Sequence, residues 1–367
     1  MLVKNNYQEC LTNLACSIQK YFNVEYKHQT IPYIDKILEE RKPKNVVTIL
    51  FDGMGYHILK KVLPKDSFFL THLIKPITTV FPATTVAATT SIQTGLNPVE
   101  TGMLGWNIYL KEIDKIVTAF TCVEKNGNSD EPLSEARDVK EKYLKKKTIV
   151  KQINEKGEYK AYKLLPFGED AYEDLEEMIA RIKKLCSEPG KKYIYAYDDE
   201  PDHLMHDLGT YSKEIKDLIR YRNMVVEKLV ESLEDTVVFV VADHGHLPVE
   251  NIHLEDYPDL LECLAKDTSI EPRAVNFFIK ENKKDEFVTL FEKYFSSEFD
   301  LYSKEEVIES KLFGDGEENP IFRDELGDYL AVAKGNMTLL HKKDMAFLSH
   351  HAGYTDDEIE VPLIVAQ

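Results

Sequence analysis

A chain of 367 residues, 43% of them hydrophobic, can bury a large core but exceeds the usual size of one compact domain, so a main domain with an elaborated insertion is expected. Its 64 acidic against 46 basic residues leave a net charge of −18, which argues against a general binder of nucleic-acid polymers or membranes and obliges any anionic ligand to find local positive charge. Five scattered cysteines without a C-x-x-C pair suggest neither a disulfide framework nor a thiolate zinc site; with no leader-like amino terminus and no apolar stretch of membrane-spanning length, a reducing cytoplasm is the expectation.

The first apolar run, Asn45 to Phe51 in "NVVTILFDGMG", reads as a strand buried on both faces and ends at Asp52. In "TTVFPATTVAATTSIQTGLNPVETG" the small residues after Thr84 and Thr85 predict a helix that stops near Gly95. Thr85 then sits at the positive end of a helix dipole among free N–H groups, a place suited to a phosphate. Simple capping is the plainer reading of these threonines. Trp106 to Val123 alternates like a hairpin and is followed by a polar loop and the lysine-rich "KEKYLKKK". A helix from Tyr172 to Cys186 leads into a strand from Lys192 to Tyr197, and helical spacing of apolar residues between Ile215 and Leu233 leads into another, Val237 to Ala242. That strand runs directly into Asp243 and His244.

From about Glu250 to Lys343 the rhythm breaks into short mixed patterns: helical "YPDLLECLAKD" and "KDEFVTLFEKYF", strand-like "RAVNFFIK" and "DYLAVAKG". This stretch reads as an inserted α+β cap, leaving 1–249 and 344–367 as the core, with a last strand from Val361 to Val365. Tyr257, Arg273, Phe277 and Phe278 are candidates for a cap pocket, although aromatic residues at strand spacing are more often core. The fold expected is α/β: a mostly parallel sheet flanked by helices, with its chemistry at the carboxyl ends of the strands.

Four places there offer oxygen and imidazole ligands: Asp52, the pair Asp243 and His244, "DDEPDHLMHDLG", and "LSHHAGYTDDE". In the third, Asp202 and His206 stand four apart, so one helical turn points both to the same side. Each piece alone has a bland explanation as a cap or a solvated pair. Together they suffice for two divalent ions, zinc by ligand type, with manganese or magnesium open.

These residues resemble the alkaline phosphatase superfamily, and within it the type I phosphodiesterase and nucleotide pyrophosphatase branch. The resemblance runs from Asn45 to Val365 in one motif order: Asp52 in "FDGMG"; Pro82, Thr85 and "TGLNP"; the P-D-x-x-x-H of Asp202 and His206; the D-H-G of Asp243 and His244; and a last histidine that fits His351 better than His350. It implies an alkaline phosphatase-like fold and a two-metal phosphoric ester hydrolase. One metal would be held by Asp52, Asp243, His244 and Thr85, the other by Asp202, His206 and His351. Thr85 would be the nucleophile, forming a phosphothreonine, and the substrate a small-molecule phosphoester. His246 lies outside the matched ligands and is expected to stand behind them at most. Ala88, three residues after Thr85, offers no donor to a phosphate oxygen; Thr89 and Asn107 are the nearby candidates. A phosphomonoesterase, a phosphonoacetate-type hydrolase or a phosphosugar mutase could use nearly the same ligands, and a degenerate member could bind without turnover.

Overall fold

The computed structural model describes residues 4–342 and 345–367. Twelve strands build its two main sheets. In chain order they are β1 Asn45–Phe51, β2 Leu73–Thr78, β3 Asn107–Leu110, β4 Lys115–Thr118, β5 Lys160–Leu164, β6 Lys192–Asp198, β7 Thr236–Val241, β8 Ser269–Glu271, β9 Ala274–Phe277, β10 Phe299–Ser303, β11 Tyr329–Ala333 and β12 Glu360–Ala366.

The first sheet has the order β2-β12-β7-β1-β6-β5. β5, β6, β1 and β7 run parallel, and β12 joins β7 and β2 antiparallel. The apolar runs of β1, β6 and β7 are buried along their whole length, as strands covered by helices on both faces must be. The long helix Lys213–Glu231 buries Ile215, Ile219, Val226 and Leu229 in the same core and feeds β7. The helix before β6 begins later than the apolar pattern predicts, at Leu175, because Asp174 caps it by accepting from the Glu177 N–H at 2.8 Å.

The second sheet is β10-β11-β9-β8-β3-β4. Four of its strands come from the segment after Glu250, and two from the Trp106 hairpin, so the sheet draws on both sides of the boundary expected at 249/250. The other boundary, at 343/344, lies outside the described residues. Phe287, Phe291 and Phe295 of the helix Lys284–Phe295 pack on Phe277 and Phe299 of this sheet. The helix expected in "YPDLLECLAKD" is a single turn, Pro258–Leu261. Its continuation is taken by sheet-like pairing, with the Ala265 N–H on the Phe278 carbonyl and the Lys280 N–H on that of Cys263. A further cluster, including Phe81, Ala83, Leu104, Ile270, Ala274 and Tyr354, joins the second sheet to the loops at the carboxyl edge of the first.

Candidate metal centre and active site

Because β6, β1 and β7 are parallel neighbours, their carboxyl ends meet at one edge, with Phe51 opposite Asp198 and Leu50 opposite Val241. The next residues of each chain therefore converge. Asp52 and Asp243 emerge side by side, and the loop after β6 turns into the helix Asp202–Leu208, whose first N–H reaches the Asp52 carbonyl at 3.2 Å. Gly245 makes the exit from β7 feasible: a Cβ there would stand 1.9 Å from the Asp357 carbonyl oxygen.

Asp52, Asp243 and His244 form one buried group whose ligand atoms all lie within 4.8 Å of one another. His244 Nε2 is 3.2 Å from Asp52 Oδ1 and 3.6 Å from Asp243 Oδ2. Asp243 Oδ1 is occupied by the N–H groups of Gly53 and His244, while Oδ2 has no hydrogen-bond partner among the described residues. Thr85 Oγ1 joins this group, 3.2 Å from His244 Nε2 and 3.5 Å from Asp52 Oδ1.

Asp202, His206, His246 and His351 form the second group. His206 Nε2 is 3.4 Å from Asp202 Oδ2, and His351 Nε2 is 3.7 Å from Asp202 Oδ1. The rings of His244 and His351 stack with centroids 3.8 Å apart, which couples the two groups. His246, expected at most behind the ligands, lies among them: its Nε2 is 2.9 Å from Asp202 Oδ1 without hydrogen-bond alignment, and neither ring nitrogen has a partner among the described residues. His350 is not in the group; its Nδ1 serves the backbone of His351.

The chemistry of these donors fits divalent cations. Three histidines spend Nδ1 on a backbone carbonyl: His244 on Gly245 at 3.0 Å, His206 on Ser349 at 3.0 Å and His351 on Ala83 at 2.9 Å. With Nδ1 protonated, each presents the Nε2 lone pair to its group, the tautomer a metal requires. Burial pushes the Asp52 and Asp243 carboxyls well above the ordinary range, and the negative charge of neighbouring aspartates adds to it. Burial also acts to raise Asp202, but His206, His246 and His351 outweigh it and hold that group well below its ordinary value. Crowded carboxylates of this kind are stable together only with compensating positive charge.

The helix Thr85–Thr94 begins where expected and ends at Gly95, whose φ of 71° provides the left-handed stop. Thr84 is its N-cap residue but makes no capping bond, so the plainer reading of these threonines fails and the first-turn N–H groups have no side-chain cap among the described residues. The Thr84 hydroxyl instead donates to Glu271 Oε1 at 2.6 Å. Thr89 donates to the Thr85 carbonyl at 2.6 Å, which commits its proton, and Asn107 begins β3 opposite Ile270.

Of the candidates for a cap pocket, Phe277 and Phe278 are buried, the latter against Tyr109, and Arg273 is fully buried on Glu358. Tyr257 packs on Tyr294 and Phe295 in the second sheet's core. Two residues at the site were not anticipated. Tyr197, at the end of β6, donates its hydroxyl to Asp52 Oδ2, and Glu271 holds Thr84. Within an apolar strand and an insertion, neither carries a local sequence signal.

No curated protein matches the chain. Solved structures share its fold. Human ectonucleotide pyrophosphatase/phosphodiesterase 5 superposes with a TM-score of 0.67 at 18% identity, covering 88% of this chain and 87% of that one. The murine enzyme, as an inactive variant in complex with AMP, gives 0.65 at 19% identity with the same coverage. Phosphonoacetate hydrolase from Sinorhizobium meliloti 1021, in complex with phosphonoformate, gives 0.62 at 17% identity, covering 88% and 90%. The family model for type I phosphodiesterase / nucleotide pyrophosphatase matches residues 46–355. With that match spanning most of its length, the chain belongs to the type I phosphodiesterase / nucleotide pyrophosphatase family of the alkaline phosphatase superfamily and is a phosphoester hydrolase.

Proposed function

We propose that the chain cleaves small-molecule phosphodiesters in two displacements through a phosphothreonine on Thr85. The observation that carries this reading is the position of Thr85 Oγ1, 3.2 Å from His244 Nε2 at the start of an uncapped helix. Asp52, Asp243, His244 and Thr85 would hold one divalent ion and Asp202, His206 and His351 another, with His246 as a further donor beside Asp202 and zinc favoured by the donor set. Bound there, the ions supply Lewis acidity that screens the phosphoryl oxygens and makes a hydroxyl or water nucleophilic at neutral pH.

The protein's own part is placement. The first-turn N–H groups of the helix Thr85–Thr94 would bind phosphoryl oxygens and fix phosphorus in line with Thr85 Oγ1. As that oxygen bonds to phosphorus and the opposite P–O ester bond breaks, Asp52 Oδ1, the carboxylate oxygen that accepts from this hydroxyl at 3.5 Å, would take its proton, the nearer His244 Nε2 being assigned to the ion. Water then cleaves the phosphothreonine and restores the hydroxyl. Substrate choice is assigned to the second sheet, where Trp106 and Phe120 stand exposed edge to face with centroids 6.3 Å apart. AMP and phosphonoformate, the ligands of two structural relatives, are small phosphorus oxyanions, the ligand class this reading needs.

The test is an assay of metal-reconstituted protein on bis-p-nitrophenyl phosphate, p-nitrophenyl phosphate and phosphonoacetate. Preference for the diester supports the proposal; preference for either of the others moves the chain to a neighbouring chemistry on the same core.

A further inference from the structure

The turn between β8 and β9, Glu271-Pro272-Arg273, carries two buried ionisable side chains with different partners. Glu271 Oε1 accepts the Thr84 hydroxyl at 2.6 Å and the Trp106 N–H at 2.7 Å. Thr84 directly precedes Thr85, and its hydroxyl, turned to Glu271, makes no capping bond to the helix.

Arg273, two residues on, donates Nε and Nη2 to the two oxygens of Glu358 at 2.7 and 2.9 Å. Two further N–H groups, on Nη1 and Nη2, go to the carbonyls of Met337 and Gly335, at 2.7 and 2.8 Å. The Glu358 carboxylate also takes the Gly353 N–H at 2.6 Å and the Thr355 hydroxyl at 2.7 Å, while its backbone carbonyl takes the Gly245 N–H at 2.8 Å. Gly353 follows His351 by two residues, and Gly245 adjoins His244.

We propose that the 271–273 turn is a positioning device with two arms: Glu271 sets the nucleophile by holding Thr84, and Arg273, through Glu358, sets the loops that carry His351 and His244. This rests on the reading of Thr85 as the nucleophile. Stability alone is a poor reason for the arrangement, because a buried ion pair is commonly no more stabilising than an apolar replacement of similar volume. A site needs registry, and a misplacement of about 1 Å can cost about 100-fold in rate. The arms are also chemically separable: Glu271 ends on the nucleophile's neighbour, whereas Arg273 ends on Glu358, which in turn holds the Gly353 and Gly245 N–H groups beside His351 and His244.

The experiment compares Glu271→Ala, Glu271→Gln and Arg273→Lys with the wild type and with Thr85→Ala, on whichever chromogenic ester the enzyme turns over best. It reads kcat, KM, bound metal and thermal stability. Glutamine keeps an acceptor oxygen for Thr84 and Trp106, whereas alanine keeps none. Glu271→Ala should lose about 100-fold in kcat with KM and metal content little changed, and Glu271→Gln should recover to within a few-fold. Arg273→Lys replaces the fork by a single ammonium and should weaken metal retention about 10- to 100-fold. Should Arg273→Lys not fold, the alanine and glutamine pair still decides. Normal kcat in Glu271→Ala overturns the inference, as does equal loss in both Glu271 variants with parallel loss of metal and stability. Turnover by Thr85→Ala would instead overturn the nucleophile reading, whereas a dead Thr85→Ala beside an unimpaired Glu271→Ala removes only the present proposal.

Discussion

Thr85 Oγ1 and His244 Nε2 stand 3.2 Å apart, while the hydroxyl of the preceding residue, Thr84, is turned away to Glu271. Two adjacent and chemically identical side chains thus have different partners, and their alanine variants should differ accordingly. Thr85→Ala should lose several orders of magnitude in rate, the usual contribution of a nucleophile, with the metals still bound. Thr84→Ala should lose about 100-fold in kcat and retain measurable turnover, because it removes only the hold on its neighbour. If Thr84→Ala is dead and Thr85→Ala active, the register is off by one. If both keep normal rates, water attacks directly and no phosphothreonine forms.

Two metal ions per chain should be found by elemental analysis after reconstitution with zinc or manganese, since each ligand group combines carboxylate with imidazole. Asp202→Asn or His206→Ala should empty the histidine-rich group first, and Asp243→Asn the other. Chelation should destabilise the fold, because ions that bind the native state alone add about 4 kcal/mol at a thousandfold excess over Kd. A stoichiometry that stays at zero would end the two-metal reading.

The site was more legible in the sequence than the walls around it. Asp52, Asp243 and His244 end continuous apolar strands, and Asp202 and His206 share a helical face, so local periodicity locates them. β2 and β5, by contrast, lie at the edges of the first sheet, where half-solvated runs such as "LIKPIT" and "KAYKL" carry no continuous apolar signal. No motif includes His246, which the sequence therefore places behind the ligands at most, yet the chain's turn at Gly245 brings it back onto Asp202. The Arg273 to Glu358 contact joins residues 85 positions apart, and no local pattern reports such a pair. That contact also leaves Arg273, a candidate for a cap pocket, fully buried.

Tyr197→Phe should weaken metal binding at the Asp52 group by about 10- to 100-fold, the usual effect of losing a partner that orients a ligand. The tyrosine hydroxyl occupies Asp52 Oδ2 and leaves Oδ1 facing His244. Removing it strands a buried carboxylate oxygen while changing shape little, so the protein should fold with a modest loss of stability. Competition with a chromophoric chelator measures the effect; an unchanged affinity would show that Asp52 is oriented by other contacts, such as its backbone bonds to Asp198 and Asp202.

Glu271 should make the metal-free protein less stable as pH rises. Burial pushes its carboxyl up to about 7 from the ordinary 4.5. Between those values the folded chain keeps a proton that the unfolded chain releases, so stability is highest below the lower value, falls through the window, and levels off above the upper one. The span corresponds to about 3 kcal/mol at most. Glu271→Gln cannot ionise and keeps the acceptor for Thr84 and Trp106, so urea unfolding of the two proteins across this range should diverge with rising pH, the variant becoming the more stable. Titrations of Asp52, Asp202 and Asp243 occur in both proteins and cancel in the difference as far as they are independent of Glu271. Restoring the metals should shrink the divergence, because nearby cations favour the ionised carboxylate. Parallel curves in the metal-free proteins would mean that Glu271 is ionised in the fold throughout, held by the two donors on Oε1 more strongly than its burial opposes.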